Sequence, residues 1–132
     1  MELEDYGFEE VGEWKLYNKI NSGISFDILK SENERVIYAF VVDSEAKYLG
    51  ICEKDDTTFR VRLRRYKYLL GAGTNERIAK KIKGCLEENK KVKIYALKPE
   101  SELRYEGLKI DIVKGLENPL IREFNPDWNI RK

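Results

Sequence analysis

Apolar and polar residues alternate near the start of the chain, with the period of two that is typical of half-buried β-strands. Two short alternating runs within Phe8–Leu29 lie on either side of a turn-forming Asn-Ser-Gly segment and predict an N-terminal hairpin. A β-branched and aromatic run at Arg35–Val42 and the segment Lys47–Cys52 predict a second, central hairpin. The alternating segment Val92–Leu97 predicts one further core strand.

Two segments in the middle of the chain have helical spacing instead. Apolar residues recur every three or four positions in Thr58–Leu70, which predicts a short basic helix that ends at Gly71. After the loop Gly71–Asn75, in which Thr74 is a candidate N-cap, an apolar stripe at Ile78–Leu86 predicts a second helix. Residues 98–107 are polar and predict an irregular loop.

The last apolar stripe, Ile112–Phe124, predicts a third helix that ends before Asn125-Pro126, with Pro119 expected to kink it or to start a new turn. The order of elements predicts the α/β (α+β) class. In this prediction, a small and mainly antiparallel sheet of three core strands is flanked by helices, and the N-terminal β-hairpin is added to it.

The composition restricts the available chemistry. The 132 residues fit one domain, and they include no apolar run of the roughly 20 residues that a membrane span needs. The acidic start is unlike a signal peptide, so the sequence predicts a cytoplasmic protein with no membrane partner. Because there is no histidine, and the two cysteines have no zinc-ligand spacing, catalysis would use carboxylate, lysine, tyrosine or arginine.

The net charge is only +1, but the charges are unevenly distributed. Basic residues are concentrated in the segment from residue 60 to residue 83, where Glu76 is the single acid, so this segment is a candidate for binding a phosphate backbone. A solvated helix face is the alternative interpretation. The candidate phosphate contacts are Arg60, Arg64, Arg65, Lys67, Arg77, Lys80, Lys81 and Lys83.

Five further side chains are candidates for a reactive site. Tyr38 and Tyr48 lie on the two strands of the central hairpin, although tyrosine is also an ordinary half-buried strand residue. Arg62 and Tyr66 are four residues apart in a predicted helix and are expected to point together. Glu117 lies in the apolar stripe of the last helix, where a carboxylate is uncommon unless it is paired or binds metal.

The alternative for Glu117 is a salt bridge to Lys114 or Arg122. Near the end of the chain, Trp128 is expected to anchor the tail, and Asn129 would then donate hydrogen bonds inward.

Taken in order, these residues resemble the motifs of the GIY-YIG nuclease superfamily, over about residues 35–129. The matching pieces are Val36-Ile37-Tyr38, Tyr48-Leu49-Gly50, Arg62 with Tyr66, the segment 116–121 around Glu117, and the segment 125–129 that ends at Asn129. Val36 stands where the family usually has glycine, and Leu49 replaces the usual isoleucine or valine. Both substitutions preserve a β-strand.

The resemblance implies a nuclease domain at residues 35–132, with residues 1–34 as an extension packed on the same domain. It assigns the three core strands of the sheet to Val36–Val42, Lys47–Cys52 and Val92–Leu97. The preference for Arg62 over Arg60 or Arg64 depends on aligning the neighbouring Phe59 and Leu63. The implied catalytic residues are Tyr38, Tyr48, Arg62, Tyr66, Glu117 and Asn129.

The function that the resemblance implies is a DNA endonuclease leaving 5′-phosphate and 3′-hydroxyl ends, with one Mg²⁺ or Mn²⁺ ion held by Glu117. Tyr38 or Tyr48 would act as the base or would only orient the water. An ordinary phenol has a pKa near 10, so a tyrosine that acts as the base needs a lowered pKa. Two alternatives stay open: a non-cutting DNA-binding module with the same fold, and an interaction domain whose motif matches are accidental. A homodimer is left undecided.

Overall fold

The computed structural model describes residues 1–54, 56–71 and 73–130, so Asp55, Ala72 and residues 131–132 lie outside the described part of the chain. A short 3₁₀ helix, Leu3–Tyr6, precedes the first strand. The strands and helices that follow are β1 (Glu9–Leu16), β2 (Ile24–Ile28), β3 (Ile37–Val42), β4 (Glu45–Ile51), α1 (Phe59–Lys67), α2 (Gly73–Glu87), β5 (Val92–Leu97), β6 (Leu103–Tyr105), β7 (Leu108–Ile110) and α3 (Ile112–Phe124).

The main sheet has five strands in the order β2-β1-β5-β3-β4, and every described pairing within it is antiparallel. The expected sheet of three core strands is therefore wrong. The mixed α+β class is confirmed, but β1 pairs directly with β5, so the N-terminal hairpin continues the sheet instead of being added to it. Alternation along one strand indicates that the strand is half-buried, but it does not specify the neighbour with which the strand pairs.

The sheet separates two apolar cores. Residues of one face, among them Trp14, Tyr38 and Phe40, pack with α1 and α2. The other face includes Ala39 and Leu49, and it packs with α3 and the 3₁₀ helix. β4 is an edge strand and packs against α3, whereas α2 packs against β1, β2 and β5 on the other face of the sheet.

The helices agree with the sequence pattern better than the sheet does. Helix α3 has the predicted bounds, begins after the N-cap Asp111 and ends at Asn125, whose φ is 44°. It continues through Pro119, where a kink or new turn was expected. Helix α1 ends three residues early, because Leu69 has the left-handed φ of 55°. Helix α2 begins at Gly73, so Thr74 lies inside it and is not its N-cap.

Strands β6 and β7 form a small separate hairpin in a segment whose first part was predicted to be irregular. All six of its strand residues are exposed, so burial imposes no alternation from which the strands could have been predicted. No helix in the described ranges is both long enough and apolar enough to cross a membrane.

Candidate active site

A groove lies at the β4 edge of the main sheet, where α1, α2 and α3 converge. It consists of two adjoining clefts of about 460 and 590 Å³, which share Tyr48, Glu53 and Thr74 in their walls. The first cleft also contains Arg62 and Arg65, and we call it the arginine cleft. The second, which we call the glutamate cleft, contains Arg77, Glu117, Asn118, Ile121, Asn129 and Ile130.

Glu117 is partly buried on α3 and lines the glutamate cleft. Neither Lys114 nor Arg122 forms the alternative salt bridge, and Glu117 has no ion pair or side-chain hydrogen bond in the described part of the chain. Burial, and then the charge of Glu53, raise the pKa of Glu117, whereas Lys114 lowers it. The groove therefore holds a carboxylate with no cation within ion-pair distance among the described residues.

The sequence-predicted tyrosines divide between the groove and the core. Tyr48 lines both clefts. Tyr38 and Tyr66 are 0% exposed, and their hydroxyls lie 2.7 Å apart in a hydrogen bond. Burial strongly raises the pKa of both phenols. Tyr38 and Tyr66 therefore lie behind the wall of the groove, and neither lines the arginine cleft or the glutamate cleft.

Gly50 explains why Tyr38 and Tyr48 have such different surroundings. In the antiparallel register, Tyr38 lies opposite Gly50, while Tyr48 lies opposite Phe40. The Tyr38 hydroxyl covers Gly50 so closely that a Cβ there would approach it to 2.5 Å. The absence of a side chain at residue 50 is therefore what lets the Tyr38 ring lie inward across the strand.

Arg62 reaches the arginine cleft from α1. Its guanidinium carbon lies 4.9 Å from the centre of the Tyr66 ring, and its Nη1 donates to Asn75 Oδ1 at 3.2 Å. Nε and Nη2 make no hydrogen bond within the described ranges. Arg62 therefore presents donors that no other described residue engages, on a guanidinium held from behind by an aromatic face and from one side by an amide.

The C-terminal tail closes the groove by pairing with the edge strand β4. Asn129 accepts a hydrogen bond from Leu49 N through Oδ1 and donates one to Leu49 O through Nδ2, both at 2.9 Å. Trp128 is buried, and its backbone N–H donates to Lys47 O at 2.8 Å. The anchoring predicted for Trp128 is present. Because Leu49 follows Tyr48, Asn129 fixes the strand beside the groove.

The predicted phosphate contacts do not share one face. Arg65 and Arg77 line the groove, while Arg64 and Lys81 are exposed elsewhere on their helices. Lys80 is also exposed but forms an ion pair with Glu76 at 3.2 Å.

Arg60 and Lys67 lie on the other side of α1, against the N-terminal hairpin. Arg60 pairs with Glu32 at 2.5 Å and lies over the Phe26 ring. Lys67 Nζ lies within 6 Å of the Tyr17, Phe26 and Tyr68 ring centres. We call this contact the hairpin seam. Lys83 approaches Gly23 of the same hairpin.

Sequence reasoning did not single out Glu53 as a groove residue or Asn75 as a partner of Arg62. Glu53 lies in the turn that follows β4, and Asn75 lies beyond the turn that follows α1. No local pattern indicates that these two turns meet, because their meeting depends on how α1 and α2 pack.

Comparisons with known proteins place this architecture among nucleases. No family model matches the chain, and no curated protein matches it. Among solved structures, a glutamate-to-alanine mutant of bacteriophage T4 EndoII matches 96% of this chain and 94% of its own, with a TM-score of 0.69 and 26% identity. The restriction endonuclease HPY188I, solved in complex with product DNA, matches 94% of this chain and 79% of its own, with a TM-score of 0.54 and 20% identity.

Proposed function

We propose that this chain is a GIY-YIG type endonuclease that hydrolyses DNA phosphodiester bonds in a divalent-metal-dependent reaction, leaving 5′-phosphate and 3′-hydroxyl ends. The observation that carries the proposal is that Arg62 and Glu117 line adjoining clefts with Tyr48 in their shared wall, although the three come from α1, α3 and β4. The similarity to EndoII, over nearly the whole length of both chains, supports the same conclusion.

Hydrolysis of a phosphodiester requires that charge on the phosphate be neutralised, that a water be aligned and that the leaving oxygen be stabilised. Arg62 would meet the first requirement with its free donors, which match the oxygens of a phosphate. Tyr48 would meet the second, because its side chain lies in the wall that both clefts share. Its hydroxyl would orient the water or accept the water's proton.

Glu117 would hold one Mg²⁺ or Mn²⁺ ion. Hard cations prefer oxygen ligands, and a single carboxylate with waters and a substrate phosphate is a common magnesium site. No cluster of three His, Cys, Asp or Glu side chains suitable for a metal exists in the described ranges. The raised pKa of Glu117 beside Glu53 fits a site where a cation would relieve repulsion between carboxylates. When bound, the ion would supply positive charge for the leaving oxygen.

Tyr38 and Tyr66 take a positioning role in this proposal. The Tyr66 ring supports the Arg62 guanidinium, and the Tyr38 and Tyr48 ring centres are 6.5 Å apart. Because both phenols are buried with raised pKa values, neither is suited to exchange a proton with water at neutral pH. Tyr48 is therefore the tyrosine assigned to the water.

DNA would cross the groove with its backbone near Arg65 and Arg77, which lie in opposite clefts. Contacts of this kind supply affinity that falls with salt and carry no base information. Arg60 and Lys67 are reassigned to packing, because the hairpin seam already engages both side chains.

The test is incubation of the chain with supercoiled plasmid in Mg²⁺ or Mn²⁺, with a parallel reaction in EDTA. We expect nicked or linear DNA only with metal, and no cutting by Glu117→Ala. Ligation of the nicked product without prior phosphorylation would verify the 5′-phosphate and 3′-hydroxyl ends. Metal-independent cutting, or cutting that Glu117→Ala leaves unchanged, would contradict the proposal.

The non-cutting DNA-binding module is the second candidate, and the basic residues in the groove wall support it as well. It predicts duplex binding that weakens with salt, in a protein that leaves plasmid intact under all metal conditions. An accidental interaction domain predicts neither cutting nor salt-dependent binding.

A further inference from the structure

Asn75 is a buried polar side chain in the wall of the arginine cleft. It lies in the first turn of α2 and is 6% exposed. Its Oδ1 accepts from Arg62 Nη1 at 3.2 Å, and its Nδ2 donates to Leu70 O at 2.5 Å. One amide thus connects an arginine on α1 with the backbone that follows the same helix.

We propose that Asn75 is a positioning residue that aims the Arg62 guanidinium at the scissile phosphate, an inference that rests on the proposed function. An arginine side chain has several rotatable bonds, and holding it in one orientation costs conformational entropy. The Tyr66 ring restricts Arg62 to a plane, and the Asn75 amide fixes its direction within that plane. The remaining donors then face the cleft before substrate arrives.

The turn between α1 and α2 is shaped around this amide. Gly71 has a left-handed φ of 87°, and a Cβ there would lie 3.1 Å from Asn75 Nδ2. The amide also satisfies the Leu70 carbonyl, which follows the end of α1. A neutral amide suits the role better than a carboxylate, because a carboxylate would form an ion pair with Arg62 and compete with the phosphate.

Misplacing a catalytic group by about 1 Å can cost roughly 100-fold in rate. We therefore expect Asn75→Ala to lower kcat by about 10- to 100-fold while KM changes by less than about threefold. In an Arg62→Ala background, Asn75→Ala should cause no further loss, because residues that act through one another are not additive. A purely structural role predicts independent, multiplicative losses.

Asn89→Ala is the matched control. Asn89 lies just beyond the other end of α2 with a left-handed φ of 64°, so its replacement strains the same helix without touching the groove. It should lower the melting temperature and leave kcat unchanged. A second readout that needs no activity is the ¹⁵N–¹H heteronuclear NOE of Arg62 Nε, which should fall in Asn75→Ala and stay high in Asn89→Ala.

These experiments distinguish a failure of the proposed function from a failure of the proposed role of Asn75. Plasmid left intact by the wild-type chain in Mg²⁺ and Mn²⁺ would overturn the proposed function. Cutting that depends on Glu117 but is unaffected by Asn75→Ala would overturn only the role of Asn75. An Arg62 NOE that Asn75→Ala leaves unchanged, or a multiplicative loss in the double variant, would overturn it as well.

Discussion

Residues of the same chemical type have contrasting surroundings in the groove and in the packed parts of the molecule. Arg62 points a guanidinium with free donors into the arginine cleft, whereas Arg60, two residues earlier on α1, is paired with Glu32 in the hairpin seam. Tyr48 lines the groove, whereas Tyr38 hydrogen-bonds inside the core. Residue type therefore does not identify the site here; the direction of each side chain does.

The tyrosine comparison gives the largest expected difference in rate. Tyr48→Phe should lower cutting by about 10²- to 10⁴-fold, the contribution typical of a group that handles a proton. The double replacement Tyr38→Phe with Tyr66→Phe should stay within about tenfold of wild type, since removing both partners of a buried hydrogen bond is nearly neutral. Single-turnover rates on a plasmid would measure both.

The single variant Tyr38→Phe provides the control, because it leaves the Tyr66 hydroxyl buried without a partner. It should lower the free energy of unfolding by about 1–3 kcal/mol. A wild-type cutting rate for Tyr48→Phe would contradict the proposal that Tyr48 orients the water or accepts its proton.

The arginine comparison should follow closely in size. Arg62→Ala should lower the cutting rate by about 10²- to 10³-fold, as expected for removing a donor to the charged transition state. Arg60→Ala should cut normally and lose about 1 kcal/mol of stability or less, because its ion pair is partly exposed. Measured rates and urea unfolding of the two variants would test this, and equal effects on rate would contradict the division of α1 into two faces.

Gly50→Ala tests the packing that separates the two tyrosines. The added Cβ would meet the Tyr38 hydroxyl at 2.5 Å, so Tyr38 or the strand has to shift. Overpacking of this kind costs about 1–3 kcal/mol. Thermal or urea unfolding would measure the loss, and Gly115→Ala is the control, since a Cβ at residue 115 meets nothing within 4 Å. A fully stable Gly50→Ala variant would contradict the inward position of Tyr38.

The pH dependence of stability gives the smallest effect. The folded-state pKa of Glu117 is raised above its ordinary value of 4.5, so the folded chain binds this proton more tightly than the unfolded chain does. Ionising Glu117 therefore destabilises the fold as the pH rises from about 4.5 through the raised value. Glu117→Gln should match the wild-type melting temperature in acid and exceed it at neutral pH. Mg²⁺ should reduce this difference between the two melting temperatures. A gap that is largest in acid would contradict the raised pKa.

Much of the fold could be predicted from local sequence patterns. The part that was predicted wrongly depends on contacts between distant segments. Helix α3 was predicted to the residue because the apolar stripe and the Asn-Pro stop agree with one another. The five-stranded sheet was missed because the pairing of β1 with β5 joins distant segments.

Some residues of the candidate site could likewise be predicted from the sequence, and others could not. Glu117 and Tyr48 were named from motif spacing, and the structure brings both to the groove. Tyr38 and Tyr66 were named by the same spacing, yet the register with Gly50 turns Tyr38 into the core. Glu53 and Asn75 reach the groove only through the packing of loops after β4 and α1, which a one-dimensional pattern does not encode.

The most direct test of the central claim is the cutting rate of Glu117→Gln beside wild type, measured in Mg²⁺ on preparations whose melting temperatures are recorded. The account predicts that the variant loses metal-dependent cutting and melts no lower than wild type at neutral pH, because the lost carboxylate serves the reaction and not the fold. Wild-type cutting by a folded Glu117→Gln variant would contradict it.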